Sequence, residues 1–235
     1  SVLYFPIVGL FIGALLNGIT QLLHPIFSPA PLAALMVVVL ILITGGLHLD
    51  GFTDLCDGLG AGWKGARRER ILEIMKDSHV GAFGVMGLIA LLLLKYSLFY
   101  ELIEKGKFRS FLAMGIISRY AMAKAASIGR YARVENQRME GEVSDPSGGG
   151  DRGGVGRPFI GKVGVKRGIG AAAMAILLTG FVSKGPGLFA LCAVSLFTVL
   201  VVRFLDSKIG GLTGDGLGAI NEASEVLALC VMAAI

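Results

Sequence analysis

The chain has 235 residues, 54% of them hydrophobic and only 17% charged, and its mean hydropathy is +0.73. Soluble domains carry about a quarter charged residues, so this composition excludes a soluble globular protein and points to one all-α, polytopic transmembrane domain over residues 1–235. The net charge of +5 gathers in particular loops, and Cys56, Cys192 and Cys230 lie far apart without a CxxC spacing, as free thiols do.

About seven apolar segments, within a range of six to eight, approach the length that crosses a bilayer: 2–23, 32–49, 82–103, 108–128, 168–182, 188–205 and 217–235. Helices are expected, because backbone in lipid must bond internally and no alternating barrel pattern is present. Ser1 in place of Met and the abrupt stop at Ile235 suggest trimmed termini. The first span carries Asn17, Gln21 and His24 at i, i+4, i+7, a polar stripe that suits helix–helix bonding or ligand contact.

The second span runs into GGLHLDGFTDLCDGLG, Gly45 to Gly60. Asp50, Asp54 and Asp57 then fall within about 60° of one another on a helix, with His48 turned away. Three close carboxylates at a membrane boundary repel one another and call for a positive partner. Oxygen-only ligands suit a hard divalent cation, magnesium or manganese, and Cys56 among them is a further candidate ligand or plain helix filler. The loop that follows holds Arg67, Arg70, Lys76, Asp77 and His79, with Trp63 as an interfacial anchor. Carboxylates for metal and cations for phosphate are what phosphoryl transfer uses. Charge sidedness alone would also account for the arginines.

Span four carries Arg119 and Lys124, and the glycine-rich loop at about 130–167 reads as a mobile linker or substrate lid. The last span opens with GGLTGDGLGAINEASEV, in which Asp215 and Glu222 share a face and Glu225 lies one turn beyond. These acids are candidates for the metal shell, or for pairing with Arg119 or Lys124. Lys and Arg are concentrated in the loops after spans two, four and six, fifteen against four in the opposite loops. Those loops, and every acidic cluster with them, are therefore expected on the cytoplasmic face.

GGLHLDGFTDLCDGLGAGW, RERILEIMKDSHVGAFGV and GGLTGDGLGAINEASE, in that order, together with the opening SVLYFPIVGLFIG, resemble the cobalamin synthase family, adenosylcobinamide-GDP ribazoletransferase. The resemblance covers most of the chain and is weakest at 130–167. It implies a bacterial inner-membrane enzyme of late cobalamin biosynthesis, requiring magnesium, with its active site facing the cytoplasm. Such an enzyme joins adenosylcobinamide-GDP to alpha-ribazole, or to its 5′-phosphate, and releases GMP. On that reading Asp50, Asp54 and Asp57 hold metal, and Asp77, Asp215 and Glu222 complete the shell or orient the nucleophile. A carboxylate, Asp54, Asp57 or Asp77, or else His79, takes the proton, and Arg67, Arg70 and Lys76 clamp phosphate. Asn17, Gln21 and Arg119 are kept as candidates for substrate contact. Membrane lipid and the two substrates are the expected partners, nucleic acid is not, and a homodimer is admitted without being fixed.

DLCDGLGA at 54–61 also resembles the opening of the CDP-alcohol phosphotransferase motif, but Gly62 stands where that pattern has arginine and Ala219 where it has its last aspartate. A lipid-directed enzyme of that kind, a prenyltransferase-like enzyme and a membrane transporter are the alternatives. The acids gather at one face and not at the midplane, which speaks against the transporter.

Overall fold

The computed structural model describes residues 2–132, 160–161 and 163–235, so the glycine-rich loop expected at 130–167, and any lid role for it, falls mainly outside the described residues. A 3-10 turn at Val2–Tyr4 leads into α1 (Phe5–Leu23), followed by α2 (Pro29–Thr44), α3 (Leu47–Trp63), α4 (Arg68–Ile74), α5 (Ala82–Glu104), α6 (Arg109–Ile128), α7 (Val165–Ile209) and α8 (Gly214–Ala234). Among the described residues there is no strand, only an isolated bridge between Tyr131 and Leu212. Among the described residues four helices are long and apolar enough to cross a membrane, or five if α2 and α3 are counted as one broken span.

The span expected at 32–49 does not continue into the aspartate motif. Gly45 and Gly46 take φ of 60° and 70°, a left-handed geometry that only glycine adopts readily. The chain turns by 93° there, and α3 sets off as a separate helix. The aspartates do share a helix, as their spacing indicates, but it is a separate one, with α3 lying across the first turns of α5 and α8. Gly51 and Gly218 are the points of closest approach: a Cβ on Gly51 would lie 2.7 Å from the Asp215 Cα, and one on Gly218 3.1 Å from the His48 carbonyl oxygen.

The spans expected at 168–182 and 188–205 form one helical run, α7, with a single non-helical residue inside it, Lys184 (φ 48°, ψ −132°), two positions before Pro186. At about 1.5 Å per residue a straight helix of 45 residues would hold its ends far apart. Instead both ends lie by the C-terminal end of α6. A Cβ on Gly168 would meet Ser127 at 3.2 Å. At the other end Leu212 N–H donates to the Arg130 carbonyl at 2.7 Å, and Ala132 N–H donates to Leu212 at 3.0 Å. Arg130 clamps Asp206 through two bonds, at 2.5 and 2.9 Å. The chain thus reverses at Lys184, and α7 is a helical hairpin.

α6 is the centre of the bundle, with 14 of its 20 residues buried against α1, α7 and α8. Arg119 and Lys124 make it less apolar than the other long helices, and its neighbours cover most of it. α1 runs antiparallel to it, so His24 stacks near Phe108 at the start of α6, 5.0 Å between ring centroids.

Candidate active site

α3 collects the aspartate motif and α8 brings its own first turn to it. Asp50 is exposed, while Asp54, Asp57 and Asp215 are half-buried. Asp54 feels the charges of Asp50, Asp215 and Asp57. The side chain missing at Gly51 is what lets the Asp215 backbone come so near to α3. The carboxylates of Asp50 and Asp54 take no hydrogen bond or ion pair among the described residues. Asp215 accepts one from Thr213.

Asp57 is differently employed. Its Oδ2 accepts from Gly81 N–H at 2.7 Å and its Oδ1 from Gly84 N–H at 2.8 Å. These are orphan donors at the start of α5, so Asp57 caps that helix from another element. Asp77 and His79, in the turn before α5, bond to each other: Asp77 Oδ1 lies 2.7 Å from His79 Nδ1 and accepts His79 N–H at 3.0 Å. The backbone N–H of His79, and then its ring, hold the Asp77 carboxyl below the usual carboxylate range. Asp57, Asp77 and His79 open with Lys64 on one cavity of about 350 Å³, whose other walls are Ala61, Ile74, Val80, Gly81 and Phe83.

The other expected residues are dispersed. Arg67 and Arg70 are exposed on α4 and its approach, and Arg70 pairs with Glu73 at 3.1 Å. Lys76 is exposed in the turn after α4. Asn17 and Gln21 bond to each other at 3.2 Å in the half of α1 that leads to Phe108, the end of the bundle away from the aspartates. Glu222, expected in the metal shell, is not a free carboxylate beside the aspartates. It is 2% exposed and bonds Lys95 Nζ at 2.5 Å. Lys95 also reaches Glu225 at 2.6 Å. Arg119 bonds the other oxygen of Glu225, and that oxygen also accepts from Asn221 at 3.0 Å. Asn221 Nδ2 lies 3.3 Å from His48 Nδ1, linking this buried set to α3. Lys124, the alternative partner, donates instead to the Ser195 carbonyl at 3.0 Å.

Lys95, Asn221 and Lys64 are positions that sequence reasoning did not single out, and His48, turned away from the aspartates as expected, meets Asn221 on α8. Lys95 left a signal, a lone cation inside the apolar run ALLLLKYSLFY.

Among the described residues, no three His, Cys, Asp or Glu side chains are drawn closely enough together to hold a metal ion as they stand. The chemistry of the donors still fits a hard cation: Asp50, Asp54 and Asp215 offer only oxygen, and the first two are unneutralised. A bound cation would draw these side chains together.

A model of the family described as cobalamin-5-phosphate synthase matches residues 1–233. A Geotalea daltonii protein named adenosylcobinamide-GDP ribazoletransferase is 38% identical over 237 positions, covering 100% of this chain and 86% of the relative. Proteins of the same name from Caldanaerobacter subterraneus and Escherichia coli are 33% and 35% identical, covering 96% and 99% of this chain and 83% and 87% of theirs. No solved structure matches the chain.

Proposed function

The chain belongs to the cobalamin-5-phosphate synthase family, and from that premise we propose that it joins adenosylcobinamide-GDP to alpha-ribazole, or its 5′-phosphate, with release of GMP. It is an enzyme, a transferase of cobalamin biosynthesis. The observation that carries the fuller reading is the meeting of α3 and α8 across Gly51, which gathers Asp50, Asp54 and Asp215 from two distant motifs at one end of the bundle.

In the reaction, a ribazole hydroxyl oxygen forms a bond to the phosphorus nearest the corrinoid arm. The bond from that phosphorus to the GMP oxygen breaks, and GMP leaves with the electron pair. Magnesium held by Asp50, Asp54 and Asp215 would neutralise charge on the phosphate oxygens. Asp57 keeps α5 in register with α3, so the cavity stays beside the carboxylates. Asp77 binds His79 through Nδ1, which leaves Nε2 of that ring to accept the hydroxyl proton. Arg67 and Lys76, exposed on either side of α4, would clamp phosphate on this reading.

The membrane placement is part of the proposal. Counting α6 and each limb of α7 as crossings, with α3 as a cross-piece, gives seven crossings. The loop charges then put the aspartates on the cytoplasmic face of a bacterial inner membrane. The burial of α6 supports that count, since a helix wrapped by its neighbours need not be apolar all round.

The test supplies membranes holding the chain with adenosylcobinamide-GDP, alpha-ribazole and magnesium, and measures GMP and the cobalamin product. Both should appear together, and EDTA should stop them. Absence of product with folded protein would overturn the reading.

A further inference from the structure

The walls of the cavity beside Asp57 divide into an apolar and a polar half. The geometry points to the acceptor nucleoside's binding site: the apolar half, Ala61, Ile74, Val80 and Phe83, takes the benzimidazole-type base, and the polar half, Lys64, Asp77 and His79, takes the ribose hydroxyls.

Size is the first argument. About 350 Å³ is at the small end of ligand cavities, roughly 300–1,000 Å³. That suits one nucleoside and is too small to enclose a corrinoid. The choice between the two nucleosides of the reaction follows from chemistry. Guanine carries donors and acceptors around its edges, and each must be paired when it leaves water. Ile74, Val80, Phe83 and Ala61 offer no such partner in their side chains. A benzimidazole has an apolar edge and a flat face, which an aromatic ring receives in offset or edge contact. Lys64 Nζ lies 5.2 Å from the Phe83 ring centroid and holds that ring from one side.

Charge agrees. Asp57 is engaged by the α5 backbone and Asp77 by His79, and Lys64 is the one Lys or Arg side chain against these two carboxylates in the lining, a wall suited to neutral hydroxyls more than to a pyrophosphate. Position agrees too. Asp57 follows Asp54 by three residues on α3, about 4.5 Å along the axis, so a ribose at the polar end faces the carboxylates assigned to the phosphates.

The assignment rests on the ribazoletransferase reading, and the experiment separates the two. Val80→Asp and Phe83→Leu are compared with wild type in steady-state turnover and in equilibrium binding of labelled alpha-ribazole to purified full-length protein without donor. Val80 is 59% exposed, so its replacement spares folding even if that of Phe83 does not. The KM for alpha-ribazole should rise about tenfold or more while the KM for adenosylcobinamide-GDP stays within about twofold, and donor-free binding should weaken in parallel. A rise confined to the donor KM would make the cavity a guanosine site and overturn the assignment, as would no change in either. Wild-type protein that binds alpha-ribazole but forms no GMP would sink the enzymatic reading and leave the site standing. Protein that neither binds nor turns over would sink both.

Discussion

Lys95 is 2% exposed in the middle of α5, where a lone ammonium is among the costliest groups to place. It is tolerable because Glu222 and Glu225 meet it and Arg119 balances the second carboxylate, so two cations face two anions. Breaking such a set is expensive: Lys95→Met should destabilise the protein by about 3–5 kcal/mol, read by denaturation in detergent. Adding Glu222→Gln should recover much of that loss, because the remaining Arg119–Glu225 pair is balanced. If the double variant is no better than the single one, the pairing does not explain the burial. The two aspartates of DLCD should also separate. Asp54→Asn should abolish turnover with an unchanged melting temperature, since no partner among the described residues depends on that carboxylate. Asp57→Asn should lower both, because an amide cannot accept from Gly81 and Gly84 together; the cap is worth about 1–2 kcal/mol. The shared face of Asp50, Asp54 and Asp57 was legible from helical spacing alone. That Asp57 caps α5 was not, because its partners are backbone N–H groups more than twenty residues away, and backbone leaves no trace in composition. Lys95 was visible as an anomaly but its partner was not, being 127 positions distant.

The elements show the same division. Continuous hydropathy hid the joint between α2 and α3, because Gly45 and Gly46 are apolar enough to let the span run on, although a glycine pair is a stop signal. The Lys184 turn was divined as a gap between two spans, but not that it folds the limbs back beside α6. α3 is a cross-piece whose position is set by contact, and Gly51 is where the contact is tightest. Gly51→Val would push α3 off α8 at Asp215. A displacement near 1 Å at reacting groups costs about a hundredfold in rate, so kcat should fall by that order while Asp50, Asp54 and Asp215 are all still present. Gly18, which meets nothing within 4 Å, is the control: Gly18→Val should leave kcat near wild type.

For the whole molecule, the hairpin and the buried α6 make a definite prediction of sidedness. In a variant lacking the three native cysteines, Lys184→Cys should react with a membrane-impermeant thiol reagent from one side only, and Arg70→Cys from the other. Labelling of both from the same side would remove one crossing from the count. The pairing across the bundle also bears on how the protein is made. On the proposed placement α6 would enter the membrane carrying Arg119, and α5 carrying Lys95, while the carboxylates that neutralise them sit on α8, about a hundred residues later in synthesis. Until then each helix would bear the cost of an unpaired cation in lipid, about 2.5–3.5 kcal/mol on the insertion scale. On this placement the bundle would close only when α8 arrives, and a chain that stops before α8 would leave Lys95 and Arg119 without their carboxylates.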